Sequence, residues 1–308
     1  GIRDRVSCLV GSEMCIRDRK KGADEVFDII REAQQKFQVP MYAADSGFSL
    51  DGPDLGSRNF AALEKPKAAM LIGEGVSSYE AGEVWHLLDK RVEMPITKIR
   101  SSMFSRASLD DYNTLVIVST RASAIDSAQQ KKIKDWVSKG NTLITIAEAS
   151  KWAIQKKLVK EKLTEKSKDT TKNKKVERLP YVNASENNGK KEVGGAIFEV
   201  DLDITHPLGF GYREAKLPVY KNNNVFLAPS KSPYATVAKY AKEPHIDGYI
   251  AENYEELLKP SASLIVSKLG SGRVVLFADN PNFRGSWYGT NRLFLNAIFL
   301  GSEIRVPE

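Results

Sequence analysis

The stretch "NTLVIVSTRASAIDSAQQKKIKDWVSKGNTLITIAEAS", Asn113 to Ser150, decides the fold. Its flanks, "NTLVIVST" and "NTLITIAEA", are short runs of Leu, Val and Ile, too brief for helices and apolar at nearly every position. Such runs fit strands of a parallel sheet that is covered on both faces. Between them Ile133, Trp136 and Val137 stand three and four apart, the spacing of one buried helical stripe. Asp126 can accept the free amides of the first turn, and Gly140 can take the left-handed conformation that stops the helix. Strand, helix and strand in this order form a crossover unit.

The same grammar extends outward. Upstream, "KAAMLIGEG" reads as a strand closed by glycines, "SSYEAGEVWHLLDKR" as a helix capped by Ser77 or Ser78, and "PITKI" as a further strand. Downstream, "AIFEVDLD", "NNNVFLAP" and "ATVAKY" resume it less regularly, and "SLIVSKLGSGRVVLFA" reads as a hairpin turning at Gly270 to Gly272. The expected fold is α/β, a three-layer flavodoxin-like sandwich with a mainly parallel sheet, over residues 66–308. Residues 20–65 read as a helix, with Val26, Phe27, Ile30 and Ala33 on its apolar side, and a turn-rich linker from the end of an upstream domain.

Composition narrows the function classes. The chain has 308 residues, 42% of them hydrophobic, enough for one large core or two modest ones. No apolar run approaches the roughly 18 residues of a bilayer span, and the first residues lack the order of a signal peptide. No membrane partner is expected. "GIRDRVSCLVGSEMCIRDRK" repeats IRDR without helical or strand period, and residues 1–19 read as a translated sequencing-adapter artefact or a disordered tail. Both cysteines, Cys8 and Cys15, lie there, at a separation that matches no standard zinc spacing. The net charge of +7 is concentrated between Lys151 and Lys191, where twelve Lys and one Arg face five acids. This Lys, Thr, Ser and Asn mixture reads as a flexible solvated insertion at about 160–193, and not as a nucleic-acid surface, which would interleave stacking aromatics.

Four blocks in order, "DLGSRNFAALEKPKAAMLIGEGVSSYEAGEVWHLLDKRVEMPIT", "WVSKGNTLITIAEASKW", "HPLGFGY" and "GRVVLFADNPNFRGSWYGTNRLFLNAIFLG", carry a family resemblance. The chain resembles the C-terminal region of large secreted bacterial zinc carboxypeptidases of the M14 type, in which the part after the peptidase domain is similar to class I glutamine amidotransferases. The resemblance implies a non-catalytic accessory domain whose partner is the upstream peptidase domain, zinc held in that domain and not in this chain, and an extracellular or periplasmic location.

The residues agree that catalytic groups are scarce. The family's zinc site needs a His-x-x-Glu pair and a later His. Only His86, His206 and His245 occur, and the nearest pattern is "HLLD" at His86. An amidotransferase needs a nucleophile on a sharp strand-to-helix turn, with a base and an orienting acid. "ITIAEASKW" supplies no Cys; Ser150 and Glu148 are conceivable as nucleophile and acid, and Ser150 reads more simply as a helix cap. "GEGVSS" at Gly73 to Ser78 lacks the third glycine of a dinucleotide loop and reads as a tight turn.

The loop after the last strand, "DNPNFRGSWYGTN", is the remaining candidate. As a carbohydrate or small-molecule site it offers Arg284 to a carboxylate or sugar, Trp287 and Tyr288 as stacking faces, and Asn282 and Asn291 as amides, with His206 of "HPLGFGY" as a further ligand-binding candidate. As structure alone, Arg284 would pair with Asp279, Thr290 would cap the last helix, and Trp287 would cover the core edge. That helix, with Leu293, Phe294, Leu295, Ala297, Ile298, Phe299 and Leu300, is too apolar to lie on a surface.

Overall fold

The computed structural model describes residues 22–38, 41, 46–55, 57, 59, 63–164, 178–190 and 192–306. The expectations for residues 1–19, with Cys8 and Cys15, and for the middle of the Lys-rich insertion lie outside them. The chain divides into two units, one ending at Leu63 and one spanning Glu64–Glu308. In the first, helix α1 (Ala23–Phe37) half-buries Val26, Phe27, Ile30 and Ala33. It ends where Gln38 turns left-handed at φ 52° and returns its N–H to Gln34 O.

The second unit is built on one nine-stranded sheet: β1 (Ala68–Ile72), β2 (Thr97–Arg100), β3 (Thr114–Ile117), β4 (Thr142–Ile146), β5 (Val193–Leu202), β6 (Lys216–Lys221), β7 (Thr236–Ile250), β8 (Ala262–Leu269) and β9 (Gly272–Phe277), in the order β2-β1-β3-β4-β9-β8-β7-β5-β6. The first five in that order pair parallel; the pairings from β9 through β6 are antiparallel. The sheet is therefore mixed, with a parallel core and an antiparallel wing. The hairpin of β8 and β9 turns where expected, at Gly270 with φ +64°.

Alternate residues of the parallel strands feed two cores. Met70, Val116, Ile144 and Val275 face one side, where helix α2 (Ser78–Trp85) contributes Val84 and the C-terminal helix contributes Leu293, Phe294, Ala297 and Ile298. Leu71, Leu115, Leu143 and Val274 face the other, under helix α3 (Ser127–Ser138) with Ile133, Trp136 and Val137 and helix α4 (Glu148–Gln155) with Trp152. Each such side chain contributes about 1.5–3 kcal/mol on leaving water. This is why β3 and β4 have no polar face.

Local signals behave as the chemistry dictates. Asp126 Oδ1 accepts Gln129 N–H at 2.8 Å while Gln129 Oε1 accepts Asp126 N–H at 3.0 Å, a reciprocal cap on α3. Gly140 follows that helix at φ +122°. Ser77, not Ser78, caps α2 through Glu80 N–H. In the insertion, residues 184–189 form the short helix α5 (Ala184–Gly189) where only loop was expected, with Tyr181 just before it 93% exposed.

Some expectations are corrected. "NNNVFLAP" forms only isolated bridges from Leu227 to Leu163 and Ala262, because Asn223 folds its side chain onto Val225 N–H. "ATVAKY" is the start of the much longer β7, which crosses Pro244 by irregular pairing with β5. Strand β6 and helix α6 (Glu252–Leu258) had no apolar signature of their own. Helix α7 (Tyr288–Phe299) closes the sandwich. Among the described residues no helix is long and apolar enough to cross a membrane.

Candidate functional site

Ligands of open α/β sheets bind outside the carboxyl ends of the parallel strands. Three features meet there: the turn from β4 into α4, the crevice between β1 and β3, and the loop from β9 into α7.

At the first, Ala147 stands between β4 and α4 with φ 51° and ψ −116°. A non-glycine residue at such angles is strained by about 1–3 kcal/mol, and a sharp strained strand-to-helix turn is the backbone of a nucleophile elbow. Its N–H is held by Phe277 O at 2.9 Å. The side chain at this position is a methyl group, which can neither attack a carbonyl nor accept a proton. The amide after a nucleophile ordinarily serves the oxyanion. Here Glu148 N–H points to Ser119 Oγ at 3.3 Å, and the Glu148 carboxylate pairs with Lys151 Nζ at 3.0 Å. Ser150 is not the helix cap: it lies within α4, fully buried, with its hydroxyl 2.8 Å from Phe277 O and 2.9 Å from Thr145 Oγ1. Those partners fasten α4 to β4 and β9, and no base is among them.

The crevice between β1 and β3, where strand order reverses, is closed by its own loops. Val76 bridges to Thr120, Ser77 N–H donates to Ser119 O at 2.8 Å, and Arg121 N–H donates to Gly75 O at 2.7 Å. Gly75 has φ +80°, and a Cβ there would stand 2.7 Å from Ala124 Cβ. The glycines of "GEGVSS" thus permit a tight turn against the neighbouring loop. Glu80 receives Ser119 N–H at 2.8 Å. Burial raises the Glu80 carboxyl above its ordinary range, the Ser119 bonds oppose that, and the charges of Glu83 and Glu148 add to it.

The loop after β9 is pinned from beneath by a buried ion pair. Asp279 Oδ1 lies 3.0 Å from Lys221 Nζ, and Oδ2 accepts Tyr240 Oη–H at 2.6 Å and Ser263 Oγ–H at 2.8 Å. Lys221 also donates to Val225 O and Asn223 Oδ1, so all three ammonium hydrogens find acceptors. Burial pulls the Lys221 amine down and the Asp279 charge opposes that; Tyr240 is raised well above its ordinary value, by burial first and then by Asp279. Asp279 is therefore not the partner of Arg284. Lys221, Tyr240 and Ser263 gave no signal in the sequence, being drawn from three different strands of the wing.

Farther along, Asn280 Nδ2–H donates to Glu83 Oε2 at 2.5 Å and Arg284 N–H to Glu83 Oε1 at 2.6 Å. Desolvation raises the Glu83 carboxyl, and these two bonds offset it in part. Asn282 is fully buried and its N–H donates to Asn280 Oδ1; the Asn291 amide, with its nitrogen turned to its acceptor neighbours, lies 3.0 Å from Pro281 O, 3.2 Å from Asn282 Oδ1 and 3.3 Å from Trp287 O, which share its two N–H donors. Both amides are turned inward. Trp287 is half-buried with Nε1–H on Pro218 O at 3.3 Å, covering the edge strand β6. Thr290 does not cap α7, since its hydroxyl donates back to Pro281 O at 2.7 Å. Arg284 and Tyr288 stay exposed.

His206 precedes β6, where its Nδ1 accepts Leu208 N–H at 3.1 Å, and its segment is tied to the loop block and α7 by Tyr212 Oη–H on Gly289 O at 2.6 Å and Asn296 Nδ2–H on Leu208 O at 2.8 Å. Burial lowers its imidazole and Asp203 opposes the shift. The donor set does not fit zinc: His86 abuts Gly285, His245 Nε2 meets Gly248 O, and among the described residues no group of three His, Cys, Asp or Glu could hold a metal.

The parallel core, the sharp turn after β4 and the helices on both faces make this an α/β sandwich with a mixed sheet. No protein-family model matches the chain, and no curated protein matches it in sequence. Solved structures of similar fold include PurLQS from Thermotoga maritima, at 13% identity over 76% of this chain and 97% of that one with a TM-score of 0.49. A ThuA-like protein from Parabacteroides merdae shares 13% identity over 79% of this chain and 92% of that one, with a TM-score of 0.49. Beta-galactosidase from Bacillus circulans sp. alkalophilus is 12% identical over 77% of this chain and 30% of that one, with a TM-score of 0.40.

Proposed function

We propose that the chain is the non-catalytic accessory C-terminal domain of a secreted zinc carboxypeptidase of the M14 type, supporting the peptidase domain that precedes it. The observation that carries the non-catalytic reading is Ala147: the elbow keeps its strained backbone but presents a methyl group, and the amide beyond it is taken by Ser119. The ordered sequence blocks support the link to the peptidase. On this reading zinc belongs to the upstream domain, this chain needs no cofactor, and the protein works outside the cytoplasm.

The complete coding sequence tests the link. A His-x-x-Glu pair and a later His should be encoded in frame before residue 22, and a frame without them overturns the assignment. In the intact parent, deleting Glu64–Glu308 should lower the melting temperature of the peptidase while leaving its zinc bound. Unchanged melting would overturn the supporting role.

A second reading, a carbohydrate or small-molecule-binding module, is favoured by the exposure of Arg284 and Tyr288 on an otherwise closed loop. An atypical hydrolase built on Ser150 is disfavoured by the burial of that hydroxyl.

A further inference from the structure

Helix α2 does not stop at Trp85; it runs on into a π-helical turn, His86–Arg91. Such turns are rare and recur at functional sites. The loop after β9 runs beside this helix in step with it. Arg284 N–H bonds Glu83, a Cβ on Gly285 would lie 3.4 Å from His86 Nδ1, and the Arg91 guanidinium sits 4.1 Å from the centre of the Tyr288 ring. Arg284, His86 and Arg91 are all exposed along this seam, and Tyr288 is 60% exposed. On its flank Lys90 and Lys98 stand 5.8 and 5.1 Å from the Trp85 ring.

Of the acids along this stretch, Glu83 and Asp89 have partners, while Glu93, two residues past Arg91, is exposed. Glu83 is occupied by Asn280 and Arg284 N–H, and Asp89 lies 3.8 Å from Lys90. Among the described residues neither Arg91 nor Arg284 forms an ion pair. Arg284 lies 5.2 Å from the Phe283 ring and its charge acts on Glu83 from beyond ion-pair distance, and Arg91 is pre-oriented by stacking, so both guanidiniums can still meet carboxylates approached side-on. From Glu83 to Arg91 the seam extends roughly 12 Å at the helical rise, longer than one sugar ring.

We propose that this seam binds a carboxylated oligosaccharide of the uronate type, with acid groups on Arg91 and Arg284 and a pyranose face on Tyr288. An acidic peptide is the poorer fit, because strand addition needs a free edge. β6 carries Pro218, whose carbonyl is taken by Trp287, and β2 is only four residues long. The proposal rests on the second reading above, the carbohydrate-binding module, whose ligand class it names, and stands whether or not a peptidase precedes the chain.

Affinity electrophoresis of the full chain through gels containing polygalacturonate, its methyl ester or poly-glutamate tests it. Retardation is expected with polygalacturonate and not with the uncharged ester. Arg91→Gln and Arg284→Gln should each weaken it about tenfold, as loss of a charge-assisted hydrogen bond implies. Tyr288→Ala should weaken it too, and Lys131→Gln, on the far face by α3, should leave it unchanged. Circular dichroism of each variant separates lost binding from lost folding. No retardation, equal retardation by poly-glutamate, or an equal loss from Lys131→Gln would overturn the proposal.

Discussion

The ends of β4 and β9 reach the same edge of the sheet as parallel neighbours, yet they are held by opposite means. The β4 end keeps a strained backbone at Ala147 with no polar side chain to use it. The β9 end has unstrained residues at Asp279 and Asn280 and a dense polar network under them. A strained turn that presents only a methyl group offers no nucleophile, whereas a buried ion pair is a fastening whose removal is costly. The difference teaches that the polar loop which draws the eye in the sequence is mostly anchor, while the backbone strain at this edge sits in the plain "IAEA".

The largest test of that contrast is Asp279→Ala. It leaves Lys221 charged and unpaired in the interior, and a stability loss of about 3–5 kcal/mol is expected from urea unfolding. A loss within the range of surface substitutions would break the anchor account. Converting both partners, Lys221→Met with Asp279→Leu, should recover only part of the loss, because no lone buried charge then remains but Tyr240 Oη–H, Ser263 Oγ–H and Val225 O lose their partners.

Ala147→Gly should go the other way. Glycine reaches φ 51°, ψ −116° without a Cβ conflict, so the relief of strain should outweigh the added freedom of the unfolded chain, stabilising by about 1 kcal/mol. A lower melting temperature would show that the turn is not strained.

The carboxylates that line the edge give a pH signature. Glu80 and Glu83 are both raised above 4.5 in the folded state, so the folded protein holds their protons more tightly than the unfolded chain. The stability they contribute is complete below the unfolded value and is lost as pH rises through the folded one. Asp203, lowered by Thr205, runs in the opposite sense and loses its contribution as pH falls. Glu80→Gln should therefore flatten the decline of melting temperature on the alkaline side of the carboxylate range; an unchanged slope would contradict the burial of that carboxyl.

Arg284→Ala is expected to have the smallest effect on folding, within about 0.5 kcal/mol, since its backbone N–H keeps the bond to Glu83 and its exposed guanidinium acts on that carboxylate only from beyond ion-pair distance. A large drop would mean that its guanidinium, not its amide, holds the loop.

How much of this was legible follows from the range of each interaction. Asp126 and Gln129, Gly140, and the turn at Gly270 act within a few residues, and their chemistry can be read directly from the letters. The apolar runs of β1, β3 and β4 are equally plain because both their faces are covered. Lys221 and Asp279 are 58 positions apart and meet only because β6 and β9 belong to one sheet, so nothing local marks them as a pair. Strand β6 was hidden by Pro218, tolerated there because the strand lies at the edge. The strand end "ITIAEASKW" was found, but its strained residue was not: Ser150, three residues on, has a nucleophilic side chain, whereas Ala147, which holds the strained conformation, has nothing to notice.

The proposal that the turn at Ala147 supports no catalysis is tested most directly by incubating the purified chain with glutamine and with peptides bearing free C-termini, with and without added zinc. The account predicts no release of ammonia or amino acids above the buffer blank in any condition. Hydrolysis above that blank by the chain alone would contradict it, and its loss in Ser150→Ala or on chelation would say which group had been misjudged.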